Sequence, residues 1–177
     1  MKTIDKYLFQ ALDNYPYSLE ETIESLDYAF SYDNKNTMVL CLYGRIQAEQ
    51  LMNYEEAKSY FQEALAINIH ALEVYPYYLQ TLIVNEDFEE AQKLIDFALT
   101  IKGINKSMIF VKKAVLLEVQ HKFKEALKEI KQAKLYSIQH DYDSGISEVE
   151  KRIKDKVDLL EKKKPKEKKK NSKKKSK

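Results

Sequence analysis

Three histidines and one cysteine are the first places to look for chemistry in this 177-residue chain. His70, His121 and His140 are scattered. No two of them sit four residues apart on a helix with a further ligand, the spacing a helical metal site uses. Cys41 lies in the apolar run Met38-Val39-Leu40-Cys41-Leu42-Tyr43, which reads as a small buried hydrophobe. The histidine nearest to it, His70, falls one predicted helix further on, so spacing offers the thiol no base. Glu20-Glu21, Glu55-Glu56 and Glu89-Glu90 could suggest general acid–base work. They recur, however, at the first turn of repeated helices, where carboxylates suit the macrodipole and the free amides. Gly44, Gly103 and Gly145 are the only glycines. Placed so far apart, they cannot build a phosphate-cradling loop. These residues point to no enzyme, no cofactor and no metal.

Tyrosine is abundant, at thirteen. Tyr15-Pro16-Tyr17 falls between predicted helices, where proline stops one and precedes the cap of the next. Tyr75-Pro76-Tyr77-Tyr78 falls in a first helical turn, where proline lacks no needed amide. One reading is turn geometry and interhelix packing. The other is that some hydroxyls line a binding surface.

The elements that position these groups follow from composition and period. Apolar residues make up 44% of the chain, enough for a core, and charged residues 33%. One cysteine permits no intramolecular disulfide and fits a reducing compartment. The N-terminus, Met1-Lys2-Thr3-Ile4-Asp5-Lys6, is too polar for a signal peptide, and no apolar run reaches the length of a membrane span. A soluble cytoplasmic protein without a membrane span is expected. The net charge of +2 conceals a division. Residues 162–177 hold eleven Lys against Glu167, a charge of +10, so the first 161 residues carry −8. That Lys-rich tail has no apolar residue except Pro165 and can bury nothing, so a disordered basic tail is expected.

Residues 1–161 repeat. Asn53-Tyr54-Glu55-Glu56-Ala57, Asp87-Phe88-Glu89-Glu90-Ala91 and Lys122-Phe123-Lys124-Glu125-Ala126 align, with alanines stepping by 34 and then 35 residues. Downstream, Phe61, Ile95 and Ile130 are equivalent, as are Ala64, Ala98 and Ala133. A fourth, earlier copy contributes Thr22, Leu26, Ala29 and Tyr32. Each copy reads as two helical stretches with a 3.6-residue apolar period. Asn53, Asp87 and Ser18 are expected N-caps, each with Glu three residues on to close a capping box. Lys122 cannot accept an amide hydrogen bond, so that helix start is expected to be the least defined. Gly44 to Asn53 is one residue longer than Ala114 to Lys122, an excess expected in the turn at Leu51-Met52-Asn53. The units are 2–34, 37–70, 72–104 and 107–138. A last amphipathic helix at 143–161, striped by Ile146, Val149, Ile153, Val157 and Leu160, would end the array in water.

This pattern resembles the tetratricopeptide repeat, a helix–turn–helix unit of about 34 residues. Gly44, Ala57, Phe61 and Ala64, then Tyr75, Leu79, Ala91, Ile95 and Ala98, then Ala114, Ala126, Ile130 and Ala133 fill its small and bulky positions. The proline that ends each unit in that family is replaced by Ile69, Gly103 and Ile138. Only Gly103 is a natural helix stop, so the units ending at Ile69 and Ile138 are expected to run further. The resemblance implies an all-α fold, an α-solenoid of about four helix pairs plus a C-terminal capping helix.

In that family the first helices of each pair line a concave groove. Carried over, this implies groove residues Cys41, Arg45, Ala48 and Glu49, then Pro76, Gln80, Ile83 and Val84, then Val111, Val115, Glu118 and Val119. With one Arg and neither Lys nor Asn, the set lacks the family's carboxylate clamp. It suits a helix or an extended apolar segment. The expected role is a non-enzymatic scaffold or adaptor binding a protein or peptide partner. The alternative is nucleic-acid or ribosome association through the Lys tail. With no aromatic for stacking and no Arg for base readout, that tail offers only non-specific phosphate attraction.

Overall fold

The computed structural model describes residues 6–138 and 143–162. Among these residues there are nine helices and no strand: α1 (Lys6–Asn14), α2 (Leu19–Tyr32), α3 (Thr37–Glu49), α4 (Tyr54–Ile67), α5 (Val74–Val84), α6 (Phe88–Ala98), α7 (Lys106–Val119), α8 (Phe123–Tyr136) and α9 (Asp143–Lys162). The fold is all-α. The basic tail from residue 163 onward and His140 lie outside the described residues. None of the described helices is long and apolar enough to cross a membrane.

Helices pack in consecutive pairs: α1 on α2, α3 on α4, α5 on α6 and α7 on α8. Each second helix also meets the first helix of the next pair. Along one side, α3 touches α5, α5 touches α7 and α7 touches α9; no comparable contact joins α2, α4, α6 and α8 to one another. The α3–α5–α7 side is therefore the inner, closer-packed side of the array. Three apolar clusters follow one another along it, through α1–α3, α3–α7 and α7–α9.

The repeat is visible in the backbone. Met52, Glu86 and His121, at equivalent positions, each take a left-handed conformation, with φ of 53°, 62° and 61°. The amide of the following residue reaches back into the preceding helix: Asp87 to the carbonyl of Leu82, Lys122 to that of Leu117, both five residues away. Asn53 reaches Gln47, six residues back, so the turn at Leu51-Met52-Asn53 does absorb the extra residue. Gly103, at φ +89°, forms the turn between α6 and α7, a conformation that favours glycine. In register, α4 and α8 end three residues later than α6, as the Ile69 and Ile138 replacements imply.

Helix starts differ from expectation. Asn53 caps α4, its side chain accepting from the Glu56 amide at 3.5 Å. Ser18 and Asp87 precede α2 and α6 without a side-chain cap. Asp87 instead accepts from Lys58 and Asn85, an ion pair and an amide donor that outcompete a helix N–H. At Ser18 only the backbone participates, its carbonyl accepting from Thr22 Oγ1 at 2.7 Å. Lys122 gives α8 no cap, as its chemistry requires. Asn36 and Asn105 cap α3 and α7, accepting from the amides of Met38 and Met108.

The close contact expected at Gly44 is present. A methyl group there would stand 2.6 Å from Phe61 Cε1, and Phe61 is fully buried. Burial of one such aromatic side chain stabilises by about 1.5–3 kcal/mol.

Candidate functional site: the inner face of α3, α5 and α7

Inner-facing positions recur every 34–35 residues, so each helix contributes side chains in columns. At one end, Arg45 on α3 is enclosed by two rings. Its guanidinium carbon lies 4.6 Å from the Tyr15 ring centroid and 4.2 Å from that of Tyr77 on α5. This is cation–π geometry on both sides. Its Nε stands 3.4 Å from Glu49 Oε1, one turn further along α3. The same carboxylate accepts a hydrogen bond from the Tyr15 hydroxyl. Burial, and that bond to Glu49, push the Tyr15 phenol up to about 12. Tyr15 therefore stays protonated and donating at neutral pH.

In the middle, Lys112 on α7 donates to Gln80 Oε1 on α5 at 2.7 Å. Burial lowers its pKa, against the pull of Glu49. A desolvated ammonium whose direct partner is a neutral amide is only partly compensated, so this stretch of the face favours an anionic neighbour.

At the far end, Glu118 on α7 is only 3% exposed. Arg152 of α9 approaches it with two nitrogens, Nε at 2.9 Å and Nη2 at 2.7 Å, and Lys156 adds a third bond at 2.6 Å. Burial opposes its ionisation. The hydrogen bonds and charges of Arg152 and Lys156 outweigh that and hold the carboxyl below its usual range. The last helix thus sits over this end of the inner face and takes up its one buried acid.

Of the residues expected to face the groove, Arg45, Ala48, Pro76, Val111 and Val115 are half-buried there, and Glu49, Gln80, Val84 and Val119 are exposed. Three are withdrawn from it. Ile83 is 3% exposed and belongs to the central core. Glu118 is covered by α9, whose two cations neutralise it. Cys41 is also buried, its Sγ 4.0 Å from the Glu73 carbonyl. Burial, followed by the charge of Glu73, pushes its thiol up to about 12, far from the thiolate a nucleophile needs.

Sequence reasoning missed Lys112, Arg152 and Lys156; Tyr15 and Tyr77 it named only within the two Tyr-Pro-Tyr runs, without their shared partner Arg45. Leu42, Tyr77 and Lys112 form one register column. Its change from apolar to aromatic to cationic is the signal that this column leaves the core and joins the inner face. Lys112, Arg152 and Lys156 thus join Arg45, Glu49 and Glu118, with Glu73 and Glu148 close enough to act on Cys41 and Arg152. The expectation of a groove with a single Arg and no Lys is corrected accordingly.

The row Tyr15, Glu49, Arg45, Tyr77, Gln80, Lys112 brings together hydroxyl, amide and cationic donors and two rings stacked on Arg45. Compared with known protein families and with curated proteins, the chain finds no match.

Proposed function

We propose that this chain is a non-enzymatic scaffold, a tetratricopeptide-like solenoid of four helix pairs capped by α9. It binds a polypeptide along the inner face of α3, α5 and α7, in a cytoplasmic setting. The observation that carries this reading is the connected row of donors and rings crossing three successive pairs. Peptide ligands present backbone carbonyls and side-chain acceptors at short intervals, and a row of this kind meets several at once. Two features support the absence of catalysis: Cys41 is buried with a raised pKa, and the acidic pairs lie in helix first turns. The test is capture from lysate of the source cell with nuclease present, using the full chain, a chain lacking residues 162–177, and the Arg45→Glu/Lys112→Glu variant. Loss of specific partners in the double variant, with retention by the tail-less chain, is the expected result. An unchanged partner set in the double variant would refute the inner face as the binding surface.

A second reading rests on the +10 charge of residues 162–177. Lysines neutralise phosphates and release counterions, so duplex binding would fall with salt by a log–log slope of about 0.9 per phosphate contacted. It would be blind to sequence and lost on deleting Lys162 to Lys177.

A further inference from the structure

Successive helix pairs meet at seams, and two of them are clasped on the outer side by side chains at equivalent positions. At the first seam, the Tyr43 hydroxyl donates to Asp27 across from α3 to α2. At the second, the equivalent pair is Tyr78 and Gln62, with Gln62 Nε2 donating to the Tyr78 oxygen at 2.9 Å and Tyr78 donating to Glu90 at 2.5 Å. A four-residue clasp is added there. Lys58 of α4 bridges Glu55 at 2.7 Å and Asp87 at 2.8 Å. Asn85 donates to the same two carboxylates at 3.0 and 2.7 Å. The clasp ties α4 to the start of α6.

The third seam, between the α5–α6 and α7–α8 pairs, keeps half of these groups and loses the rest. Glu55 and Asn85 become Glu89 and Gln120, which could serve the same roles. Lys58 becomes Gln92, and Asp87 becomes Lys122: the cation is gone, and the acid is replaced by a base. The side chains turn inward on their own elements. Gln92 donates to Asp96 within α6 at 2.8 Å, and Lys122 to Gln120 at 2.8 Å. The Tyr78 position is Lys113, which pairs with Glu129 of its own hairpin at 3.4 Å. Among the described residues, no hydrogen bond or ion pair joins α6 to α7 or α8. A cleft of about 850 Å³ lies open there, lined by Phe88, Gln92, Lys113, Leu117, Lys122 and Glu129 among others. The seam is held by packing of α7 against both α5 and α6 and, on the inner side, by one polar bond, Lys112 to Gln80.

We infer that the third seam is a hinge: the α7–α9 segment swings about the α5–α7 contact, widening or narrowing the cleft outside and the inner face opposite. The pieces flanking the joint are fastened by polar bonds that the joint lacks: α3–α6 carries the four-residue clasp, and α9 is fastened to α7 and α8 by Glu118, by Lys134–Glu150 and by buried Ile146 and Ile153. The hinge follows from the missing outer clasp and the open cleft, whatever occupies the inner face.

Ser59, Lys93 and Lys128 are equivalent exposed positions on α4, α6 and α8. Cysteines placed pairwise at them carry spin labels across seam two (Ser59 with Lys93) and seam three (Lys93 with Lys128). Buried Cys41 is left in place and checked by labelling the parent chain. The expected result is a broader distance distribution across seam three than across seam two. Gln92→Lys with Lys122→Asp would rebuild the four-residue clasp. It should narrow that distribution and lower the opening constant of the seam, read by hydrogen exchange, about two- to fivefold beyond the sum of the single changes. The single Lys122→Asp variant controls for its effect as a helix cap. Equal widths at the two seams of the unclasped protein, a comparison that needs no clasp variant, would overturn the hinge. So would a broad third seam that the rebuilt clasp leaves unchanged.

Discussion

Gly44→Ala tests the closest contact between paired helices. An alanine in mid-helix is favoured over glycine by about 1 kcal/mol, so on propensity alone the substitution stabilises. Packing gives the opposite sign. The new methyl would meet Phe61 Cε1, Cζ and Cδ1 at 2.6, 2.8 and 2.9 Å, where carbon pairs rest at about 3.5–4.0 Å. The ring has little freedom to withdraw. It is fully buried and tilted against Tyr78 at a centroid distance of 5.6 Å, and Tyr78 is itself fixed by Gln62 and Glu90. Overpacking of this kind costs about 1–3 kcal/mol. The two effects leave a net loss of up to about 2 kcal/mol. With a urea slope of about 2 kcal/mol/M, the midpoint followed by helical circular dichroism should fall by up to about 1 M. A second background isolates the cause. Phe61→Leu removes the ring edge, and there Gly44→Ala should become neutral or stabilising, because only the propensity gain remains. Stabilisation by Gly44→Ala in the parent protein, or an equal loss in both backgrounds, would refute the contact.

Ala91→Leu should cost about 1–3 kcal/mol in chemical unfolding, since Ala91, the counterpart of Ala57 in α6, is fully buried between helices; no loss would remove it from that contact. Glu86→Gly should raise stability by about 0.5–1 kcal/mol, because the left-handed φ of 62° strains a side-chain-bearing residue more than glycine's entropy costs; a lower thermal midpoint would contradict it. Glu118, held below the usual carboxyl range, contributes stability that is complete above its unfolded pKa of about 4.3 and fades as pH falls through its folded value. Glu118→Gln should accordingly flatten the acid limb of α9 hydrogen exchange and cost about 1–2 kcal/mol at neutral pH, a figure discounted because Arg152 and Lys156 are nearly half exposed. Parallel acid limbs in parent and variant would show that the cluster does not fasten α9.

Much of the fold was legible because its information is local and repeated. Alanines at 57, 91 and 126 fix the register of the second helices, and the 34–35 residue step carries that register to every other position. Even the extra residue near Leu51 was visible as an arithmetic excess before the turn showed how it is absorbed. The caps were less legible, because a side chain that can cap can also be drawn away. Asp87 has the right chemistry for an N-cap, but Lys58 is 29 residues earlier in the chain and 2.8 Å away in space. Ser18 matches the motif and contributes only its carbonyl.

The candidate site was legible as a set of columns and not as a set of partners. Repeat register puts Arg45, Gln80 and Val115 in one column and Glu49, Val84 and Val119 in another, and Arg45 and Gln80 each meet a side chain of the neighbouring helix, Tyr77 and Lys112. It does not carry the fate of Glu118, which depends on Arg152 and Lys156 arriving from a helix outside the repeat. Nor does it carry Lys112, whose column begins with the buried Leu42 and so reads as core. The same register becomes informative when read for differences. Lys58 and Asp87 at one seam, Gln92 and Lys122 at the next, are unremarkable as single residues. Aligned, they mark where an otherwise regular array has lost a clasp. In a stack whose units touch only their neighbours, such a gap is not averaged away by the rest of the molecule. The proposed hinge lies at that gap, between the pairs whose inner helices carry Gln80 and Lys112.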